Sequence, residues 1–209
     1  MTKLVNMNLN MFLDELASNS PAPGGGSVAA LSGALGAALS SMVCNLTRRK
    51  QGYELAEDEI KEILERSEEL RKQLIELIDK DTEAFNKVME SIKMPKETED
   101  QKEKRKHAMQ NAFKHAADVP LETAQKCIQI LDIARILSEK GNKNSISDAA
   151  VSALMAQTGL HAAILNVRIN LNSIADEEYT QKINSELDEL KRSAIEKSAE
   201  ILSIVEKSL

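Results

Sequence analysis

The chain has 209 residues, a formal net charge of −6 and 42% hydrophobic residues, which suits one globular domain with a substantial core. The acidic balance argues against nucleic acid as a partner, because binding to phosphates requires a basic surface. Two distant cysteines and three histidines have no metal-ligand spacing, so we expect reduced, buried thiols and no metal site. Asp14 and Glu15 lie where a signal peptide would be apolar, and we therefore expect a cytoplasmic protein.

Residues that favour helices dominate the composition, and no stretch alternates polar and apolar residues for long enough to predict a strand. We predict an all-α fold, a multihelical bundle of about six helices that forms a single domain over 1–209. The first of these helices is short and amphipathic, over residues 8–18.

A glycine-rich turn follows the first helix. Pro21 and Pro23 stop any helix upstream, and the flexible backbone after them leads into a new helix. The turn comprises Gly24, Gly25, Gly26 and Ser27. Unpaired N–H groups at the start of a helix attract carboxylates and phosphates, so the turn is either a cradle for an anion or a flexible lead-in to a tightly packed helix.

Two predicted helices are strongly apolar. The first covers residues 28 to about 46, carries no charge and is rich in Ala, Gly and Ser; the second covers 149–171. The first is long enough to cross a bilayer, but its many Ser and Gly residues favour a buried helix with close neighbours. Because one layer of helices does not easily hide two such elements, we expect them to be central and the chain to form a homodimer.

A long helix is predicted over 55–93, and Asp81 lies on its apolar stripe between Ile78 and Phe85. The other acids around it fall off the stripe and are interpreted as solvated. A carboxylate on a buried face is costly unless it is paired or used in chemistry. Asp81 is therefore the one acid in this segment whose position requires an explanation.

The next helix is predicted from Thr98 to about Lys140. Pro120 lies inside it and should kink or interrupt it. His107 and His115 lie among basic residues and are interpreted as surface side chains.

Residues 141–144 form a loop before the helix that ends at Leu171. Ser145 and Asp148 have the spacing of a capping box, which predicts the start of that helix. Asp176 is expected to cap the last amphipathic helix, which continues to the C-terminus.

Asn166 and Asn170 lie four residues apart, on the small-residue side of a helix that we expect to be buried on all sides. Two buried amides need hydrogen-bond partners, which neighbouring backbone or a ligand would supply.

Several segments, in order and over essentially the whole chain, resemble the formiminotetrahydrofolate cyclodeaminase / methenyltetrahydrofolate cyclohydrolase family. These segments are Pro21–Ser27, the acidic Asp79–Phe85, Val119–Leu121, Gly141–Asn144 with Ser147–Asp148, and Asn166–Leu171. The resemblance implies a helical bundle that dimerises and a reduced folate as substrate. None of the matched segments belongs to a formiminotransferase domain, so we expect a separate polypeptide to carry out any transferase step.

The resemblance also assigns site residues. Asp81 corresponds to the family's proposed proton-transfer residue, and the other matched positions would bind substrate. Those positions are Gly24, Gly25, Gly26, Ser27, Asn142, Lys143, Ser147, Asp148, Asn166 and Asn170.

Two reactions are implied: conversion of formimino-tetrahydrofolate to methenyl-tetrahydrofolate with release of ammonia, or, as the alternative, hydrolysis of methenyl- to formyl-tetrahydrofolate. We hypothesise that Asp81, its pKa raised by an apolar surrounding, moves the proton, and that neither reaction needs a metal or redox cofactor. Asn166 and Asn170 would hold the pterin or the reacting amide, while the glycine turn and Lys143 would receive the anionic glutamate tail or close over the ligand. A non-enzymatic helical dimer that acts as a scaffold remains a competing interpretation, although it gives no reason for Asp81 or the three glycines.

Overall fold

The fold is known from a computed structural model that describes residues 3–209. These residues contain no strand and six α-helices: α1 (Leu9–Leu16), α2 (Gly25–Thr47), α3 (Glu57–Ile92), α4 (Glu99–Lys140), α5 (Ile146–Leu171) and α6 (Glu177–Glu206). Short 3-10 turns occur at Leu4–Asn6, Glu54–Ala56 and Lys143–Ser145. The prediction of an all-α fold is confirmed, and the helix ends lie within three residues of those predicted.

Small residues let α2 and α5 pack with their backbones close together. α2 contacts α3, α4 and α5, while α5 contacts α2, α4 and α6. A Cβ atom added at Gly159 of α5 would lie 2.8 Å from the Ala29 carbonyl oxygen of α2, and one at Gly36 would lie 2.9 Å from the Ser152 carbonyl oxygen. No larger residue fits at these positions without moving a helix.

α2 and α5 also leave apolar side chains in solvent, which differs from the expectation that α5 is buried on all sides. The exposed members are Leu35, Met42 and Leu46 on α2 and Val151, Leu154, Leu165 and Ile169 on α5. We call these seven residues the α2/α5 apolar face. Both helices have the length and composition of a membrane span, yet 67% of the most apolar window of α2 is buried inside the protein, as in a core helix.

Side-chain caps occur at two of the predicted helix starts and are absent at a third. The side chains of Thr98 and Asp176 accept hydrogen bonds from the third residues of α4 and α6, as N-caps do. The predicted capping box at Ser145 is wrong: its hydroxyl donates to the Asn142 carbonyl oxygen at 3.0 Å and so closes the preceding 3-10 turn instead.

Pro120 does not interrupt α4, which runs through it without a break. A proline cannot donate to the carbonyl four residues earlier, here that of Ala116. The side-chain amide of Asn170 on α5 supplies the missing donor, with its Nδ2 3.0 Å from the Ala116 carbonyl oxygen. The helix continues because a neighbouring element completes its hydrogen bonding.

Both cysteines are buried and unpaired, as predicted. Burial raises the pKa of the Cys44 and Cys127 thiols to about 12, which leaves them unreactive at neutral pH.

Candidate functional site

Asp81 on α3 faces the start of α2. Gly24 is the N-cap of α2 and has no side chain to pair with the first N–H groups of the helix. The Ser27 hydroxyl lies 3.3 Å from Asp81 Oδ2 while donating to the Ile78 carbonyl oxygen at 2.8 Å. The anion cradle suggested by the glycine turn is thus filled by a carboxylate of the chain itself.

The three glycines of the turn have different steric requirements. A Cβ atom at Gly26 would overlap the carboxylate of Asp81, and one at Gly25 would lie 3.1 Å from Asn166 Nδ2. At Gly24 the nearest atom would be the Pro21 carbonyl oxygen, 3.9 Å away. Gly26 is therefore the residue that allows Asp81 to reach the end of α2.

Burial raises the pKa of the Asp81 carboxyl above its usual value of 3.8, and the hydrogen bonds from Ser27 act in the opposite direction. No positively charged side chain affects the pKa of Asp81. Asp81 therefore keeps its proton to a higher pH than an exposed aspartate, which suits a group that both accepts and donates protons.

Asp81 lies on the wall of a cavity of about 300 Å³. The wall combines the turn (Gly24–Gly26), α3, α4 and α5, and both Asn166 and Asn170 are part of it. The fold thus brings together three segments of the sequence that were predicted to form the site.

The two asparagines are anchored by their NH₂ groups. Asn166 Nδ2 donates to the Ala162 carbonyl oxygen at 2.8 Å, and Asn170 Nδ2 donates to the Ala116 and Asn166 carbonyl oxygens at 3.0 and 2.8 Å. Within residues 3–209 neither Oδ1 atom receives a hydrogen bond of its own. Each amide therefore offers an acceptor to a ligand.

Aromatic wall residues were missed from the sequence. Phe85 and Phe113, two of the three phenylalanines in the chain, line the cavity, whereas their helical spacing alone predicts ordinary core residues. The available signal was the position of Phe85, four residues after Asp81 on the same stripe.

The other four predicted binding residues lie elsewhere in the chain. Asn142, Lys143, Ser147 and Asp148 are near the end of α2 opposite to the glycine turn, and a helix of 23 residues is about 33 Å long. Asn142 is buried and joins the loop to α2: its Nδ2 donates to the Leu46 carbonyl oxygen and its backbone N–H to Thr47 Oγ1, both at 2.9 Å. A single chain does not bring these four residues to the Asp81 cavity.

No group of three or more His, Cys, Asp and Glu side chains able to hold a metal occurs in the described part of the chain. The chemistry that the cavity offers is one protonatable carboxyl, two amide acceptors and an aromatic wall. Such an arrangement can hold a flat polar ring and move a proton between two atoms beside the carboxyl.

A family model matches the chain that has this all-α fold, buried carboxyl and pair of anchored amides. The model, described as formiminotransferase-cyclodeaminase, matches residues 8–189, and the chain belongs to this family. Residues 8–189 include every predicted site residue.

Individual relatives differ in their names. The chain is 46% identical over 185 residues to a methenyltetrahydrofolate cyclohydrolase of Methylorubrum extorquens, covering 88% of this chain and 89% of that one. It is 34% identical to the mouse formimidoyltransferase-cyclodeaminase, where 97% of this chain matches 38% of a longer protein. The crystal structure of the formiminotetrahydrofolate cyclodeaminase of Thermotoga maritima superimposes with a TM-score of 0.87 at 35% identity, covering 97% of both chains.

Proposed function

We propose that this chain is an enzyme of folate one-carbon metabolism that closes or opens the ring around the single carbon held between two nitrogens of tetrahydrofolate. The observation that carries the proposal is the Asp81 carboxyl, buried at the start of α2 on the wall of a cavity with anchored amides. The names of the relatives, all of them folate enzymes, support the substrate class.

In the cyclodeaminase reaction, the second folate nitrogen attacks the formimino carbon and forms a tetrahedral intermediate. Starting from the protonated formimino group, Asp81 takes the proton from the attacking nitrogen and gives it to the departing –NH₂ group, which becomes –NH₃⁺. The C–N bond to the departing nitrogen then breaks, which releases ammonia and leaves the methenyl bridge.

In the cyclohydrolase reaction, water attacks the methenyl carbon and Asp81 accepts its proton. The tetrahedral intermediate then expels one ring nitrogen, to which Asp81 returns the proton; the hydroxyl group loses its own proton to solvent as the C=O bond forms, and formyl-tetrahydrofolate results. Both reactions are an addition and an elimination at one carbon, and neither step as written uses a metal or a redox cofactor.

Asn166 and Asn170 would bind the pterin. Their free Oδ1 atoms match the N–H groups at the edge of that ring, and Phe85 and Phe113 supply an apolar wall for its faces. A cavity of about 300 Å³ is small for a ligand site, so the rest of the folate would extend beyond it.

The comparisons divide between the two reactions. The structural neighbour from Thermotoga maritima favours cyclodeamination, the reaction that the sequence resemblance placed first. The Methylorubrum relative, with higher identity and nearly equal length, favours hydrolysis of the methenyl bridge. For cyclodeamination, a separate formiminotransferase would supply the substrate, a role that its name gives to the longer mouse protein.

The ultraviolet absorbance of methenyl-tetrahydrofolate tests both reactions with one purified protein. Added formimino-tetrahydrofolate should produce this absorbance if the chain is a cyclodeaminase, with ammonia released in equal amount. Added methenyl-tetrahydrofolate should lose it faster than in buffer if the chain is a cyclohydrolase. A protein that does neither, and shows no saturable folate binding, would fit the scaffold interpretation instead.

We also propose that the chain functions as a homodimer joined through the α2/α5 apolar face. α2 contains no charged residue, and two adjacent helices of this length offer roughly 600 Å² per subunit, close to an ordinary interface. A two-fold axis perpendicular to α2 would exchange the two ends of the helix. The loop with Lys143 from a second copy would then lie near the glycine turn, where it could meet the folate tail.

A further inference from the structure

The hydrogen bond between Asn170 and the backbone of α4 depends on Pro120. In an unbroken helix the Ala116 carbonyl would receive its bond from the N–H of residue 120, but proline has none. The proline ring also crowds the carbonyl four residues earlier and pushes it away from the helix axis. Ala116 is buried and lines the Asp81 cavity, so its carbonyl oxygen needs another donor.

Asn170 supplies that donor, and its NH₂ group is fully used as a result. One bond goes to the Ala116 carbonyl oxygen on α4 at 3.0 Å and the other to the Asn166 carbonyl oxygen on its own helix at 2.8 Å. An amide whose two N–H groups both donate hydrogen bonds is fixed in one orientation. The only group that it can still offer to a ligand is its Oδ1 acceptor. A freely rotating asparagine would present either a donor or an acceptor to the cavity.

We propose that Pro120 is a positioning residue for substrate binding: by removing one backbone donor from α4, it fixes Asn170 so that the cavity meets only an acceptor. The inference deepens the proposed function, because an acceptor at this point selects a ligand edge that carries N–H groups, as the pterin of a reduced folate does. Pro120 therefore shapes the site although it does not itself line the cavity.

A double-mutant cycle tests the inference through kinetics. In Pro120→Ala, the alanine N–H takes back the Ala116 carbonyl, and Asn170 keeps only one of its two anchoring hydrogen bonds, the one to the Asn166 carbonyl oxygen. KM for the folate substrate should rise about fivefold while kcat stays within about twofold, since Asp81 is untouched. Asn170→Ala should raise KM by a similar factor in the parent protein and have little further effect when Pro120 is already alanine.

Stability supplies a second readout that does not depend on activity. Asn170→Ala leaves a buried carbonyl without a donor in the parent protein, but not in the Pro120→Ala background, where the helix provides one. The unfolding midpoint in urea should therefore fall clearly in the first case and little in the second. Pro120→Ser also restores the N–H and takes the place of Pro120→Ala should the alanine variant fail to fold.

Pro95→Ala is the matched control, because Pro95 lies in the exposed turn between α3 and α4. It should leave KM at the parent value. If the parent enzyme turns over folate, but Pro120→Ala keeps the parent KM and Asn170→Ala has the same effects in both backgrounds, the inference is overturned while the proposed function stands. A parent protein that neither binds nor converts folate would overturn the proposed function, and additive stability effects would overturn the coupling by themselves.

Discussion

Asp81 is subject to two opposing influences. Burial on the inner side of α3 disfavours its charged form, whereas Ser27 and the N-terminus of α2 favour it. Burial dominates, so the pKa of the carboxyl is raised. A carboxyl whose charged form is disfavoured by burial but favoured by nearby hydrogen-bond donors is suited to taking and returning a proton within one reaction cycle.

The raised pKa predicts a pH-dependent stability. Because the folded state binds the proton of Asp81 more tightly than the unfolded state, this proton stabilises the fold below the usual pKa of 3.8, and the contribution is lost as the pH rises through the higher folded value. Asp81→Asn does not titrate. The unfolding free energy of the wild type relative to Asp81→Asn, measured with urea across the acidic to neutral range, should therefore fall as pH rises.

Glu83→Gln serves as the control for that series, since Glu83 is an exposed carboxylate on the same helix. A decline of the same size for Glu83→Gln would mean that the decline does not come from the burial of Asp81. A difference between wild type and Asp81→Asn that grew with pH would mean that the Asp81 pKa is lowered in the folded protein.

Gly26 gives a steric prediction. A methyl group at this position overlaps the Asp81 carboxylate, so Gly26→Ala should displace the carboxyl and cost about 1–3 kcal/mol of unfolding free energy. Turnover should fall together with stability. Gly24→Ala, which has no atom nearer than 3.9 Å, should lose less unfolding free energy than Gly26→Ala, because only the preference of an N-cap for glycine over alanine opposes it. Equal stability of the two variants would refute the close approach of Asp81 to α2.

At the level of helices, the sequence predicted the elements well because their ends carry local signals. Thr98 and Asp176 are N-caps by side-chain chemistry alone, and the periodicity of apolar residues defines the inner faces. The periodicity also identified Asp81, Asn166 and Asn170 as polar groups on inward faces, and all three line the cavity.

Two of the features that the sequence did not reveal depend on distant partners. The carboxylate of Asp81 meets Ser27 across 54 positions, and Asn170 completes the bonding of Ala116 across the same separation. Ser145 has a capping motif, but its hydroxyl finds a nearer partner in the preceding turn. Local patterns contain no information about such pairings, which arise only when helices pack.

The packing of α5 against α2 yields a prediction at this scale. Gly159→Ala places a methyl group 2.8 Å from the Ala29 carbonyl oxygen and 3.0 Å from the Gly33 nitrogen, both backbone atoms that do not yield easily. The variant should lose about 1–3 kcal/mol of unfolding free energy despite the better helix propensity of alanine. Thr158→Ala, at an exposed neighbouring position, should match or exceed the parent stability, and a Gly159→Ala variant as stable as the parent would contradict the packing.

At the level of the whole molecule, the α2/α5 apolar face is the part of the surface that a second copy would cover. Leu165 on α5 is 67% exposed, the largest exposed fraction in this face, and a charge there would be buried without a partner in a dimer. Leu165→Glu should therefore convert the dimer to a monomer, as measured by light scattering coupled to size exclusion. Leu55→Glu, at a fully exposed position outside this face, should keep the parent mass. A monomeric parent protein, or a Leu165→Glu variant of unchanged mass, would count against the dimer.

The account rests most heavily on Asp81 as the group that moves the proton. The decisive measurement is kcat of Asp81→Asn beside wild type and Glu83→Gln, followed by methenyl-tetrahydrofolate absorbance with the substrate that the wild type converts. Asp81→Asn should lose about a hundredfold or more in kcat while still binding folate and keeping its helical content, and Glu83→Gln should match the wild type. Turnover by Asp81→Asn at the wild-type rate would contradict the account.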